Sequence, residues 1–241
     1  MKKVAALLTG RGNNSLRDKN VLNVLGHPVL YYPGKSCKNV KDIDSFYCSS
    51  DDEKILSEAE KIGYKRILRP AELATPTAQH VDCIYHALAE MKSDGVEPDI
   101  LVVLLANNVA VKSQWIADCI QLMKNEPSIT AVVPVYNDND HHPLRGKIIE
   151  KDGYLGMYDK NFTGQISTNR QDLIPCYFLA HNFWVLNVAN LYSGEAGQPP
   201  WSFMGNKIKP YIIETSIDIH DKGDLMLAQL WLQNNFFETD M

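Results

Sequence analysis

Long apolar runs are missing from this chain: nothing in its 241 residues approaches the ~18 consecutive apolar positions of a membrane-crossing helix. Met1-Lys2-Lys3 followed by Val4–Thr9 has the outline of a short leader. The run stops at Gly10-Arg11, too soon for a signal peptide, and reads as a first strand covered on both faces. Cysteine pairing is missing too. Cys37, Cys48, Cys83, Cys119 and Cys176 are odd in number and far apart, and none stands in a CxxC or Cys/His zinc spacing. That usage favours a reduced, cytoplasmic chain. Basic charge is scarce: 24 Lys and Arg against 29 Asp and Glu give a net charge of −5, with no polybasic block. A broad nucleic-acid footprint is thereby excluded. A small anion is not, because a few local donors suffice to hold one. No repeat or low-complexity tract interrupts the sequence.

What is present is an ordinary globular balance, 45% hydrophobic and 22% charged, in a length that suits one large domain with an elaborated lobe. Apolar strands are expected at 4–8, 44–48, 65–68, 100–105 and 129–135. The helices between them have Pro33 in a first turn, Asp51 or Thr77 as N-caps, Gly63 as a stop and Ser113 as an opening residue. Strands alternating with helices give an α/β fold, a mainly parallel sheet with helices on both faces. Ligands of such sheets bind at the carboxyl ends of the strands, here loops 9–20, 49–52, 69–77 and 106–112. After Val135 the rhythm changes. Residues 136–182 read as an inserted β-rich lobe with a hairpin signal at Lys151-Asp152-Gly153-Tyr154. The chain then returns to the sheet at 182–186, with a last strand at 211–213 and a terminal helix from Asp221 to about Gln233.

The loop from Thr9 to Asn20 follows the first strand directly. Gly10 and Gly12 permit close backbone approach, Arg11, Arg17 and Lys19 are cationic, and Asn13 and Asn20 add amide donors, a set that suits a phosphate chain. It is neither a Walker A loop nor GxGxxG, so a solvated surface loop is the plainer alternative. In the segment 216–224, an extended chain puts Asp218 and His220 on one side. Asp218 suits a divalent cation, His220 is a poor ligand for Mg²⁺, and Asp221 reads equally well as a helix N-cap. The adjacent His141 and His142 point to opposite faces of a strand and are read as structural. Arg170 and His181 can meet an acidic sugar or serve as ordinary hydrogen-bonding residues. His86 is read as structural, while His80, at a helix start, faces the strand ends. No Ser/His/Asp triad emerges from spacing, and the cysteines read as small buried hydrophobes.

Taken together these segments resemble the acylneuraminate cytidylyltransferases, the CMP-sialic acid synthetase family, over most of the chain. Arg11 through Lys19-Asn20 is similar to the family's R-x-x-S-K…K-N loop. Arg69-Pro70-Ala71-Glu72-Leu73-Ala74 is similar to its R-P-A-x-L-A segment and is followed by the His86-Ala87-Leu88 helix. Leu104-Leu105 stands where the family has L-L-Q-P-T-S-P. His141-His142-Pro143-Leu144 and Arg170-Gln171-Asp172-Leu173 match lobe motifs, and Ser216-Ile217-Asp218-Ile219 matches the start of I-D-I-D.

The resemblance implies a Rossmann-like nucleotidyltransferase, one domain over 1–241 whose inserted lobe at 136–182 serves dimerisation and sugar binding. Its substrates would be CTP and a nine-carbon, sialic-type (nonulosonic) acid, its products a CMP-sugar acid and pyrophosphate, and its assembly a homodimer with no nucleic-acid or membrane partner. Arg11, Lys19 and Asp218 take the catalytic roles, with Mg²⁺ or Mn²⁺ at Asp218. Gly10, Arg11, Gly12, Asn13, Asn20, Arg69 and His80 hold the nucleotide; Asn107, Arg170, Gln171 and His181 hold the sugar. Three departures stand out. The first loop is one residue short, leaving Arg17 nearest to the family's catalytic lysine. His220 replaces the second aspartate. Ala106-Asn107-Asn108-Val109-Ala110-Val111 replaces the Q-P-T-S-P-L segment, where Asn107 and Asn108 would bond a sugar of legionaminic or pseudaminic type. The alternatives are a nucleotidyltransferase acting on a sugar or polyol phosphate and a non-catalytic nucleotide- or glycan-binding relative.

Overall fold

The computed structural model describes residues 2–12 and 16–235. The strands are β1 (Val4–Thr9), β2 (Asn23–Val24), β3 (His27–Pro28), β4 (Ser45–Ser50), β5 (Lys65–Leu68), β6 (Ile100–Leu105), β7 (Ala131–Asn137), β8 (Lys147–Ile149), β9 (Leu155–Met157), β10 (Tyr177–Leu179), β11 (Phe183–Asn187) and β12 (Ile208–Ile212). The helices are α1 (Tyr31–Lys38), α2 (Glu53–Lys61), α3 (His80–Ser93), α4 (Ser113–Asn125), α5 (Val188–Leu191) and α6 (Lys222–Asn235).

One sheet organises the molecule. β5, β4, β1 and β6 run parallel in that order. β11 then pairs antiparallel with β6 and with the start of β7, while β10 pairs antiparallel with the end of β7. β12 lies parallel along the other edge of β7. The sheet is therefore mixed, and the last strand begins three residues earlier than the sequence suggests.

The continuous apolar runs of β1 and β6 follow from burial on both faces. Val4, Ala6 and Leu8 with Ile100, Val102 and Leu104 pack under α1, α2 and α4. Ala5 and Leu7 with Leu101 and Val103 pack under α3 and α5. A third cluster joins α6, through Ala228, Trp231 and Leu232, to Val109, Ala110 and Ile219.

Helix ends show where local chemistry decides. Asp52, not Asp51, caps α2 by accepting from the Lys54 N–H, because Asp52 is the residue with extended backbone. Gly63 ends that helix with φ +83°, donating to the Glu60 carbonyl. α3 starts at His80 after Gln79, three residues beyond Thr77. At α6 a reciprocal box forms: Asp221 accepts from the Asp224 N–H and Asp224 accepts from the Asp221 N–H.

The chain leaves the sheet after Asn137 and re-enters it at Tyr177. Between them lies the β8–β9 hairpin, with Gly153 at φ +86° in its turn. His141 pairs with Asp138 at 2.7 Å, and the His142 ring accepts from the Leu144 N–H. Each histidine thus has its own local partner.

Candidate active site

A cavity of about 310 Å³ opens at the carboxyl ends of β1, β5 and β6. Its floor is the turn after β1. A Cβ on Gly10 would lie 3.1 Å from Ala106 Cβ, and one on Gly12 would lie 2.9 Å from the Asp52 carboxylate, so a larger residue at either position would crowd its neighbours. The Gly12 N–H donates to Asp51 at 3.0 Å. Arg11 reaches across to the Thr75 carbonyl at 2.8 Å, and the Asn20 amide donates to the Arg11 carbonyl at 3.1 Å. Lys19 is buried, and its ammonium donates to the Ile219 carbonyl at 2.8 Å. Burial lowers its pKa, opposed by the nearby charge of Asp218.

The facing wall comes from the β5–α3 connection. Arg69 is buried and donates through Nε to Ser49 Oγ at 3.1 Å and through Nη2 to the Ser49 carbonyl at 2.7 Å. His80, first residue of α3, meets Thr9 Oγ1 at 3.0 Å with Nε2 and packs 5.2 Å from the Trp184 ring. Burial, with the charge of Arg69, pushes its pKa down to about 4, so the ring is neutral at physiological pH. Leu73, Ala78, Cys83 and Leu105 add apolar side chains to the cavity lining.

At the rim, Asn107 donates to Asp218 Oδ1, and His220 Nε2 lies 3.1 Å from Asp218 Oδ2. Asp218 and His220 thus share a side, as an extended segment demands. Asn108 turns the other way. Fully buried, it donates to the His181 carbonyl and to Ser216 Oγ, both at 2.9 Å, and accepts from the Ala110 N–H at 3.1 Å. With those partners it is a latch inside the fold and is not available to a sugar.

Among the sequence-derived candidates, Gly10, Arg11, Lys19, Asn20, Arg69, His80 and Asn107 line the one cavity. Asn13 lies outside the described residues. Arg17 is not part of the cavity wall: its side chain is 93% exposed and its closest carboxylate is Asp18 at 3.8 Å. His181 packs between Trp184 and Trp201, 5.3 Å from the latter, and burial lowers its pKa. Arg170 and Gln171 line a separate hollow in the lobe, where Arg170 pairs with Asp140 at 2.5 Å. Asp221 is occupied as a helix cap. Among the described residues no group of three or more His, Cys, Asp or Glu converges as a metal set. Thr9 and Cys83 were not anticipated as wall residues. The strand-end rule reaches Thr9, but nothing in the sequence around Cys83 marks it.

The sheet order and this strand-end cleft define a nucleotidyltransferase-like α/β fold. Solved structures share this fold. A CMP:2-keto-3-deoxy-manno-octonic acid synthetase complexed with CTP matches 97% of this chain and 100% of its own with a TM-score of 0.69 at 12% identity. The 4-diphosphocytidyl-2C-methyl-D-erythritol synthase of Anaerococcus prevotii matches 96% and 99% with a TM-score of 0.66 at 18% identity. At such identities the likeness is one of fold. No protein-family model matches the chain. Among curated proteins, the N-acylneuraminate cytidylyltransferase of Escherichia coli O18:K1:H7 is 25% identical over 236 residues, covering 94% of this chain and 51% of the relative. The 3-deoxy-manno-octulosonate cytidylyltransferase of Thermodesulfovibrio yellowstonii is 26% identical over 157 residues, covering 62% and 60%. The chain spans about half the length of the first relative and 60% of the second. The resemblance to acylneuraminate cytidylyltransferases is borne out over 94% of the chain.

Proposed function

We propose that this chain is a CTP-dependent nucleotidyltransferase that activates a nonulosonic, sialic-type acid, giving a CMP-sugar acid and pyrophosphate. The observation that carries the reading is the convergence of Gly10, Arg11, Lys19, Asn20 and Arg69 on one strand-end cavity, in a chain similar to an N-acylneuraminate cytidylyltransferase along 94% of its length. The anomeric hydroxyl attacks the α-phosphorus in line, a new P–O bond forms, and the α–β anhydride bond breaks with pyrophosphate as the leaving group. Arg11 and Lys19 face the charge that builds on that leaving group. Gly10 and Gly12 let the phosphates approach the backbone closely, Asn20 orients them, and Arg69 and His80 take the nucleoside.

Asp218 is our candidate holder of Mg²⁺ or Mn²⁺. A single carboxylate, with phosphate oxygens and water completing the shell, is a usual donor set for such a hard cation, so the residues fit. When bound, the cation would polarise phosphate oxygens and ease loss of the hydroxyl proton. His220, a nitrogen donor paired with Asp218, positions that carboxylate. Asn107 and His181 lie on the acceptor side. Arg170 and Gln171 of the partner subunit would meet the sugar carboxylate. A homodimer built through the lobe is supported by the large apolar side chains it exposes, Ile149, Tyr154, Leu155, Tyr158 and Ile174. A cytoplasmic setting is supported by five unpaired cysteines, four of them buried.

Pyrophosphate release is the test, measured with CTP, Mg²⁺ and a panel of nonulosonic acids including legionaminic and pseudaminic types. Release at background with every acid overturns the reading. A requirement for a phosphorylated acceptor would favour a sugar- or polyol-phosphate nucleotidyltransferase, and CTP binding without turnover a non-catalytic relative. Asp218→Asn is expected to abolish turnover while leaving most CTP binding. Undiminished turnover removes Asp218 from the cation role.

A further inference from the structure

We propose that His80, fixed by Thr9 as the Nε2–H tautomer, selects cytosine over uracil by offering its Nδ1 lone pair to the exocyclic amino group of the base. The inference rests on the reading of the cavity as a nucleotide site. It follows from a short chain of hydrogen bonds. Thr9 Oγ1 carries one proton and lies 3.0 Å from the Leu104 carbonyl, which can only accept. Its proton goes there, so the contact from His80 Nε2 at 3.0 Å must bring its own. A neutral imidazole with its proton on Nε2 is an acceptor at Nδ1.

The ring stays neutral for four reasons. Burial and the Arg69 charge lower its pKa, with His181 acting in the same direction. His80 also sits at the first position of α3, where the positive end of the helix opposes a second proton. Among the described residues no hydrogen bond reaches Nδ1. Nor is Nδ1 one of the sealed, unpartnered polar atoms, which are Ser45 Oγ, His86 Nδ1 and Trp184 Nε1. It is therefore left to the cavity that His80 lines.

The cavity orients its occupant. Phosphates belong with Arg11 and Lys19, and we assign the base to Arg69 and His80, which line the same cavity together with Leu73 and Cys83. Arg69 is a donor without acceptor capacity, pinned by two bonds to Ser49. A donor next to an acceptor complements cytosine, whose N3 and O2 accept and whose amino group donates. Uracil presents O4 at the amino position, and two lone pairs would face each other. An acceptor aimed at an acceptor inside a desolvated site costs affinity, which is the basis of discrimination by unpaired polar groups.

The test is direct binding of CTP and UTP, measured by calorimetry, which needs no acceptor and no turnover. The native chain is expected to bind CTP roughly 10- to 100-fold more tightly than UTP. His80→Phe keeps the ring and removes the acceptor; it should bring the two affinities within about 3-fold by weakening CTP rather than UTP. Thr9→Val leaves His80 untouched but frees its proton to move to Nδ1, so UTP should gain on CTP. This second variant carries the test if His80→Phe does not fold. A purely structural His80 would weaken both nucleotides alike, and an unchanged ratio in the folded variants overturns the proposal while leaving the cytidylyltransferase reading in place. Equal binding of both nucleotides by the native chain overturns it too. Binding of neither overturns both readings.

Discussion

Asn108→Ala takes from the interior a fully buried side chain whose three hydrogen bonds join three separate stretches of the chain. Its amide donates to the His181 carbonyl ahead of β11 and to Ser216 Oγ ahead of Asp218, and its oxygen accepts from Ala110 in its own loop. The Asn108 backbone also forms an isolated bridge with Asp218. Each neutral hydrogen bond contributes about 1 kcal/mol net, and a buried carbonyl or N–H left without a partner costs about 1–3 kcal/mol. Ser216 is only partly buried and recovers by turning to water, so the loss sums to roughly 3–7 kcal/mol. For a domain of this size that lowers Tm by roughly 6–28 °C. Thermal unfolding followed by circular dichroism, with urea unfolding as a check, measures it. Because the same bonds fix the segment carrying Asp218 and the carbonyl that holds Lys19, KM for CTP should rise in the folded fraction. A Tm within 2 °C of the native value would refute the latch and the reasoning behind it.

Two other perturbations probe the cavity. His80 is held to a pKa of about 4 against an ordinary 6.5. Between those values the unfolded chain binds the proton that the folded chain refuses, so stability rises with pH across the window and falls as pH drops through it. The loss reaches about 3 kcal/mol by the acid end. Burial of His181 acts in the same direction. Urea unfolding from pH 7 to pH 4 checks this, and His80→Phe should flatten the slope; an equal slope in the variant would refute it. Lys19→Met removes a buried ammonium while keeping its stem. Pyrophosphate release should fall by about 10²–10³-fold with Tm unchanged or raised. Native turnover in that variant would remove Lys19 from the chemistry.

Legibility varied with the range of the interaction. β1 and β6 were plain because strands covered on both faces are continuously apolar. The direction of β10 and β11 was not, since strand pairing is set by partners far along the chain. Asp51 and Asp52 are equivalent cap residues in sequence, and only the extended backbone of Asp52 separates them. Arg17 looked as useful as Arg11 and Lys19, yet it extends into solvent. Asn108 looked as available as Asn107, yet its amide is bound to Ser216, 108 residues away.

By itself the sequence determined the chemistry of the first loop, the strand–helix alternation and the family resemblance, because these rest on residue types at short spacing. The tertiary structure decided which polar groups face the cavity and which are used up inside the fold. Lys19 finds its carbonyl 200 residues away and His80 its hydroxyl 71 residues away. A buried donor or acceptor must find a partner wherever the fold brings one, and that choice belongs to the packed chain as a whole.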